Sequence, residues 1–198
     1  MPFKLRGAYS DGINRGIFIP ALNLHHSFTV VFWAYLIENS GEKVLFSKEK
    51  GGDYLQANAE NFLDFVALDD GVLAVRLYNG AVDLFEGQCQ SETQAITQNT
   101  WENISFTANF NGVDTVINIY VDGTSTKSFT AQRVYIEDKA AYPNSWLFLS
   151  SASVEGTKSP SSVWNGFIYW FTVHQAVLTE ELADSIELDP TACAPSGG

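Results

Sequence analysis

Residues that commonly carry out catalysis are present in this sequence, but their spacing does not match that of a catalytic site. The histidines are His25, His26 and His174, and neither a GxSxG motif nor a cysteine–histidine pairing accompanies them. Adjacent carboxylates occur at Asp69–Asp70 and Glu137–Asp138, in segments that have the character of a turn and a loop. A glycosidase needs two carboxylates held at a fixed separation by a rigid element. The sequence therefore predicts a protein that is not an enzyme.

The two cysteines, Cys89 and Cys193, leave two interpretations open. No CxxC motif is present, so a zinc site has no support. The two thiols could pair and tie the end of the chain to a loop. Alternatively, Cys193 could belong to a segment that continues into a longer protein.

Charge excludes one class of partner. Eleven basic residues face 23 acidic ones, which gives a formal charge of −12. Nucleic-acid binding depends on lysine and arginine neutralising phosphates, so no nucleic-acid partner is expected. No stretch of 18 apolar residues occurs, so membrane insertion is not expected either. The N-terminus lacks the apolar region of a signal peptide, so the protein is intracellular or its signal lies outside this sequence.

Short apolar segments bounded by turn residues dominate the chain, a pattern typical of an all-β sandwich or barrel. Consecutive strands joined by short turns, without helical crossovers, favour antiparallel sheets. A helical period appears in one segment, residues 178–188, which predicts a short C-terminal helix capped by Thr179. We expect one domain over residues 1–188 and a linker or tail over residues 189–198, where Pro, Ala, Ser and Gly dominate.

Alternation along three strands predicts which side chains face the core. The predicted inner face is strictly apolar: Phe28, Val30, Phe32, Ala34, Ile104, Phe106, Ala108, Ile117, Ile119 and Val121. The opposite face mixes aromatic and polar side chains: Thr29, Val31, Trp33, Tyr35, Asn103, Ser105, Thr107, Asn118 and Tyr120. A sandwich buries the first set and leaves the second on its surface.

Three segments, taken in order, resemble one family. The opening "GAYSDGINRGIFIPALNLHHSFTVVFWAYL", the central "WENISFTANFNG…INIYVDG" and the closing "WNGFIYWFTVHQAVLTEEL" are similar to laminin-G-like and pentraxin-like domains. These domains belong to the concanavalin A-like lectin/glucanase superfamily. The resemblance spans nearly the whole chain and implies a two-sheet antiparallel jelly roll. Members of the family bind glycans, bind proteins or hydrolyse polysaccharides, so the fold does not choose among these functions.

Two departures from the family limit what the resemblance implies. Glucanases of this fold carry their carboxylates in an E-x-D-x-x-E stretch, which this sequence lacks. Many relatives hold a structural Ca²⁺ with an aspartate of the closing segment, where this chain has Tyr169 followed by Trp170. Asp11 remains as a candidate metal ligand, but Ca²⁺ needs six to eight oxygens. No cofactor is therefore required by the sequence, and Ca²⁺ is the one candidate.

The mixed face has the composition of a glycan-binding site. Sugars place their apolar faces on aromatic rings while amides, carboxylates and imidazoles bind their hydroxyls. The candidate ligand-binding residues are Trp33, Tyr35, Asn103, Asn118, Tyr120, Trp170 and His174. The alternative is that these large side chains simply pack against one another.

The aromatic-rich closing segment must be divided between the two faces of its strand. The family pattern favours Phe171 and Val173 as core, which by alternation also places Phe167 and Tyr169 inside. Ile168, Trp170, Thr172 and His174 would then face outward. A bulge between Ile168 and Phe171 would instead reverse the alternation and turn Tyr169 outward.

The sequence thus predicts a non-catalytic carbohydrate-binding or adhesion module of a larger, extracellular or cell-surface protein. A protein–protein interaction or scaffold domain is the main alternative, and a polysaccharide-degrading hydrolase is a further one. The partner would be a glycan or a protein, and the oligomeric state stays open.

Overall fold

The fold is seen in a computed structural model of the chain. It describes residues 3–12, 17–20, 22, 24, 27–38, 40–50, 60–79, 82–83, 89–90, 96–122, 124–131, 144–147 and 164–177. The predicted C-terminal helix, the tail from residue 189 and Cys193 lie outside these residues. So do His25, His26, Glu137 and Asp138.

The described part of the chain forms thirteen strands and one turn of 3₁₀ helix. In chain order, the strands are β1 (Phe3–Asp11), β2 (Ile17–Pro20), β3 (Ser27–Leu36), β4 (Lys43–Lys50), β5 (Glu60–Ala67), β6 (Leu73–Asn79), β7 (Val82–Asp83), β8 (Cys89–Gln90), β9 (Trp101–Phe110), β10 (Thr115–Val121), β11 (Thr124–Ala131), β12 (Asn144–Leu147) and β13 (Asn165–His174). The 3₁₀ turn, Asp69–Gly71, lies between β5 and β6.

The predicted hairpins are present, and the turn residues explain them. Between β5 and β6, the Leu68 amide donates to the Val72 carbonyl at 2.7 Å and Gly71 takes a φ of +79°. Between β9 and β10, Asn111 Oδ1 accepts from the Asp114 amide at 2.9 Å, which fixes the turn. Such asparagine turns and positive-φ glycines reverse the chain with little strain. Tight turns of this kind require the paired strands to be antiparallel.

The strands pair into two antiparallel sheets. The six-stranded sheet has the order β1-β13-β3-β9-β10-β11, so the first and last described strands are neighbours. The seven-stranded sheet has the order β2-β12-β4-β5-β6-β7, and β8 also pairs with β6. The predicted antiparallel jelly-roll sandwich is confirmed.

The core lies between the two sheets and follows the predicted alternation. Phe28, Phe32 and Phe106 of the six-stranded sheet are fully buried in one cluster with Phe46 and Phe65 of the seven-stranded sheet. The ring centroids of Phe65 and Phe106 lie 4.8 Å apart across the interface between the sheets. All the residues predicted for the inner faces of β3, β9 and β10 join or pack against this cluster. Burying such side chains stabilises the fold by about 1.5–3 kcal/mol each.

The outer face of the seven-stranded sheet is also buried near its centre. Val44, Val66 and Ala74 alternate with core residues along β4, β5 and β6 and form a second cluster that is not accessible to solvent. Ser47 of β4 and Asp64 of β5 are buried as well. The exposed aromatic side chains Tyr9, Trp101 and Phe167 lie on the other sheet.

β13 contains a bulge, and the bulge corrects one prediction. The pairing of β13 with β3 shifts by one residue between Ile168 and Trp170. Tyr169 is the extra residue, so alternation reverses on passing it. Ile168 is buried in the core, whereas Phe167 is exposed and Tyr169 is partly exposed. The expectation that Phe167 and Tyr169 face inward and Ile168 outward is wrong, and the bulged alternative is confirmed.

The rest of the closing segment follows the prediction. Phe171 is fully buried and Val173 is 1% exposed, as expected for core residues. Trp164, which precedes the strand, is also fully buried. The described part of the chain contains no helix with the length and apolar character needed to cross a membrane.

We predict that Gly166→Ala will strongly destabilise the fold. Gly166 has a φ of +155°, and a Cβ there would lie 1.9 Å from the Tyr35 carbonyl oxygen on the neighbouring strand. Neither backbone can move without breaking the pairing of β13 with β3. We expect a loss of about 3 kcal/mol or more in the free energy of unfolding, measured by urea denaturation.

Gly112→Ala is the matched control. Gly112 also has a positive φ, +102°, but a Cβ on this residue would meet no heavy atom within 4 Å. The substitution should cost only the backbone strain, about 1–2 kcal/mol. Equal losses in the two variants would show that the close contact at Gly166 is not the cause.

Candidate functional site

Four aromatic side chains form a continuous row across the outer face of the six-stranded sheet. Tyr9 of β1 is the Cα partner of Phe167 of β13, and Phe167 is the partner of Tyr35 of β3. Tyr35 is in turn the partner of Trp101 of β9. We call Tyr9, Phe167, Tyr35 and Trp101 the aromatic row. Strand pairing places one member on each of four adjacent strands, so a rigid sheet fixes their order.

Neighbouring rings of the aromatic row are in contact. The centroid separations are 4.7 Å for Tyr9–Phe167, 6.0 Å for Phe167–Tyr35 and 5.4 Å for Tyr35–Trp101. The corresponding interplanar angles are 33°, 68° and 54°. The Phe167 and Trp101 centroids, which belong to strands two apart, also lie only 6.4 Å from each other, so the rings are clustered and do not form a flat line. The bulged Tyr169 adds a fifth ring, perpendicular to Trp101 at a centroid distance of 6.4 Å.

The aromatic row is open to solvent. Tyr9 is 52% exposed, and Phe167 and Trp101 are each 39% exposed. Among the side chains whose burial the structure describes, the one other large apolar side chain with comparable exposure is Val113, in the turn between β9 and β10. Exposed aromatic patches on a folded domain are uncommon and often mark a binding surface. The row is therefore the strongest candidate site on the described surface.

The next row along the same face contains three of the predicted site residues. Trp170 of β13 pairs with Trp33 of β3, which pairs with Asn103 of β9. Trp170 is only 6% exposed, so its ring cannot serve as an open platform. Trp33 and Asn103 are partly exposed, and they form a floor beside the aromatic row.

The remaining predicted residues lie further from the aromatic row, where small side chains fill the centre of the sheet. Tyr120 is the Cα partner of Ser105, and Asn118 donates from Nδ2 to Thr107 Oγ1 at 3.3 Å. His174 Nε2 lies 3.1 Å from Thr172 Oγ1. All seven residues predicted to bind ligand therefore share one outer face. Their contact with a ligand stays a prediction.

A short loop, residues 96–100, borders the Trp101 end of the aromatic row. The Asn99 amide bonds to the Leu36 carbonyl at 2.8 Å, and Tyr35 Oη lies 3.4 Å from Asn99 Oδ1. The side chain of Gln98 also donates to the carbonyl of Ile37. These contacts place amide groups beside the aromatic rings, where they could bind sugar hydroxyls.

Glu102 holds this loop from the inside of the sandwich. Both carboxylate oxygens accept the Thr97 amide at 3.1 Å, and the residue is only 7% exposed. Burial raises the pKa of Glu102, and Asp122 adds to the effect, although the bonds from Thr97 oppose it. A raised carboxyl pKa is typical of a general acid. However, Glu102 pairs with the core residue Ala34 and so faces away from the aromatic row.

The predicted metal ligand lies near the opposite end of the face. Asp11 is the Cα partner of Asn165, whose Nδ2 donates to Glu38 Oε2 at 3.3 Å. The described residues contain no group of three His, Cys, Asp or Glu side chains that could hold a metal ion. The Asp11 side chain lies outside what the structure describes, so its role stays a prediction.

Sequence reasoning missed most of the aromatic row. Tyr35 was predicted, but Tyr9 and Trp101 were not, and Phe167 was assigned to the core. Trp101 lies two residues before Asn103 and therefore on the same face of β9. Extending the mixed face of that strand by two residues would have predicted it. Phe167 required knowledge of the bulge, and Tyr9 required the pairing of β1 with β13.

Comparison with known proteins identifies the family. A laminin G family model, described as Concanavalin A-like lectin/glucanases superfamily, matches residues 11–182. The chain belongs to the concanavalin A-like lectin/glucanase superfamily. The predicted relationship to laminin-G-like and pentraxin-like domains is confirmed. No curated protein matches the sequence significantly.

Several solved structures share the fold of this chain at low sequence identity. The CBM40 domain of the Ruminococcus gnavus IT-sialidase is 15% identical with a TM-score of 0.69, covering 92% of this chain and 97% of that one. The same domain has been solved bound to alpha2,3 sialyllactose. The Limulus polyphemus SAP-like pentraxin is 14% identical with a TM-score of 0.64, covering 91% and 80%. The Streptococcus pneumoniae NanB sialidase is 15% identical with a TM-score of 0.67, covering 92% of this chain but 28% of that one.

We predict that Glu102→Gln will change how stability depends on pH. Because the folded pKa of Glu102 is raised, its protonated form favours folding below the ordinary value of 4.5, and this contribution is lost as pH rises through the folded pKa. A glutamine cannot ionise, but its Oε1 can still accept the Thr97 amide. The stability of the variant relative to the native protein should therefore rise with pH, measured by denaturant unfolding from about pH 4 to about pH 8.

Glu38→Gln is the control, because its effect on the pH dependence of folding stability should have the opposite sign. Bonds from Ser40 and Asn165, with the charge of Lys43, lower the pKa of Glu38, which is exposed. Its small contribution is present above the ordinary value of 4.5 and is lost as pH falls through the lowered pKa. If the free energies of unfolding of the native protein and Glu102→Gln change in parallel with pH, the raised pKa of Glu102 is contradicted.

Proposed function

We propose that this chain is a non-catalytic carbohydrate-binding module whose glycan site is the aromatic row. The observation that carries the proposal is the exposure of Tyr9, Phe167 and Trp101, in register with Tyr35, on one rigid sheet. A pyranose ring has an apolar face of C–H groups that packs against an aromatic ring. A row of such rings therefore provides the apolar half of a sugar-binding site.

The polar half of the site is supplied by neighbouring side chains. Asn99 lies against Tyr35, and Asn103 lies on β9 two residues beyond Trp101. Amide side chains donate and accept hydrogen bonds at once, which suits vicinal hydroxyl groups. The likeness to a CBM40 domain and to a pentraxin supports this proposal at the level of the fold.

The proposed module has no catalytic role. The buried Glu102 is engaged by Thr97 and faces the inside of the sandwich, so it does not meet a sugar on the aromatic row. A hydrolase would need a second carboxylate across the scissile bond. Release of reducing sugar from a polysaccharide panel would overturn this part of the proposal.

We propose an extracellular or cell-surface location within a larger protein, because complex glycans are concentrated outside the cell. The domain would act by holding that protein on a glycan. Localisation of a tagged full-length protein tests this, and retention in the cytoplasm would count against it.

Trp101→Ala should weaken glycan binding by about fivefold or more, because truncating an aromatic side chain that anchors a ligand costs about 1 kcal/mol or more. A glycan array first identifies a bound sugar, and calorimetry then compares the variant with the native domain. Trp101 is partly exposed at the start of β9, so the fold should survive the change.

Val113→Ala is the matched control, since it removes an exposed apolar side chain that lies in the turn at the other end of β9. Its affinity should equal that of the native domain. A glycan that binds Trp101→Ala as tightly as the native protein would place the sugar elsewhere and overturn the proposed site.

A protein ligand is the second candidate, because an exposed apolar patch also suits a protein surface. A pull-down with the native domain and Trp101→Ala distinguishes the two. A partner lost with Trp101, together with a silent glycan array with and without Ca²⁺, would favour the protein ligand.

A further inference from the structure

We propose that Asn103 is an acceptor for N-linked glycosylation, and that the first sugar of the attached glycan packs against Trp101. Asn103, Ile104 and Ser105 form an N-x-S sequence, which is the acceptor signal in proteins that enter the secretory pathway. This inference rests on the extracellular location proposed above. It goes beyond the proposed function by assigning a covalent modification beside the aromatic row, and with it a way to close that site.

The structure places the Asn103 side chain where a glycan can be attached and kept after folding. Asn103 is the third residue of β9 and is partly exposed on the outer face of the sheet. Its backbone amide donates to Asp122 Oδ1 at 2.9 Å, and its carbonyl accepts the Asp122 amide at 2.8 Å. Among the described residues, none hydrogen-bonds to its side-chain amide. Joining Nδ2 to a sugar therefore breaks no hydrogen bond of the described fold.

The first sugar has an open direction along β9, toward Trp101. Side chains two residues apart on a strand share one face and lie about 7 Å from each other. In the opposite direction along the strand, Ser105 is only 2% exposed. Trp101 is 39% exposed even though neighbouring rings contact it. A sugar on Asn103 Nδ2 thus reaches the Trp101 ring and can cover it with its apolar C–H face.

The burial of Ser105 determines when the glycan is added. The transferase must reach both the asparagine and the hydroxyl, but Ser105 is buried and β9 is paired on both sides, with β3 and β10. Transfer therefore takes place before β9 joins the sheet, as the chain enters the secretory compartment. The bond between C1 of the sugar and its lipid diphosphate carrier breaks, and C1 bonds to Asn103 Nδ2. One Nδ2 proton is released together with the lipid diphosphate.

A glycan held on Trp101 would close the proposed site to other glycans. The attached sugar is tethered to the same strand as the ring, so its effective concentration there exceeds that of a dilute free ligand. A free glycan would have to displace it. The occupancy of Asn103 therefore sets the fraction of molecules whose aromatic row is open.

The first test is mass analysis of the chain expressed behind a signal peptide in a eukaryotic secretory host. We expect a glycan on Asn103 that peptide N-glycosidase F removes, and none in Ser105→Ala, which leaves Asn103 in place. Ser105→Thr keeps the acceptor sequence and should be modified at least as fully as the native chain. Secreted and retained material are both measured, because transfer precedes folding. An unmodified Asn103 in the native chain would overturn the proposal.

The second test measures the contact with Trp101. An endoglycosidase trims the glycan to its first sugar, and urea unfolding compares this form with the unglycosylated native chain made in a bacterial cytosol. We expect the sugar to raise the folding equilibrium constant by about twofold or more, as a weak contact between packed rings does. The gain should vanish in Trp101→Ala, persist in part in Trp101→Phe and be unchanged in Val113→Ala. No gain in the native chain, or an equal gain in Trp101→Ala, would overturn this contact.

Binding measurements separate this inference from the proposed function. For a glycan found on the array, the glycosylated chain should bind about fivefold or more weakly than secreted Ser105→Ala. Equal binding by the two would overturn the closing of the site and leave the proposed function intact. A modified Asn103 that stabilises the fold through Trp101, in a domain that binds no glycan when unglycosylated, would support this inference and overturn the proposed function.

Discussion

The bulge at Tyr169 is the constraint on which the surface of this domain depends. Without it, strict alternation would place Phe167 inside with Phe171, and Ile168 on the surface. One extra residue in β13 lets Phe171 and Ile168 both enter the core while Phe167 and Tyr169 face outward. The aromatic row exists because the alternation of β13 reverses at this point.

The neighbouring strand accommodates the same irregularity. β1 stays in register with β13 on both sides of the bulge, and Gly7 is the residue of β1 opposite Tyr169. Gly7 has a φ of +63°, which glycine adopts with little cost and other residues rarely adopt. The left-handed glycine lets β1 follow the bulge and still bring Tyr9 onto Phe167. Two local irregularities on adjacent strands thus produce one ordered row.

The fold was largely predictable from the sequence, because it depends on alternation within single strands. The inner faces of β3, β9 and β10 follow period two without interruption. Asn111–Gly112 marks the turn between β9 and β10, and Asp69–Asp70–Gly71 marks the turn between β5 and β6. The outer face was predictable for the same reason, which is why the seven proposed residues share it. The aromatic row was not predictable, because it depends on which strands pair. β1 and β13 are far apart in sequence, and no local pattern in "FIYWFTV" distinguishes a bulge from regular alternation.

Contacts within the aromatic row also contribute to the stability of the free domain. Its rings contact one another, so part of their apolar surface is removed from water even in the free domain. Edge and tilted contacts between rings contribute about 0.5–1.5 kcal/mol per pair beyond area burial. Mutual packing fixes the rings before any ligand arrives, so binding would cost little side-chain entropy. A surface that is partly self-supporting in this way can keep Tyr9, Phe167 and Trp101 exposed without relying on a ligand for its order.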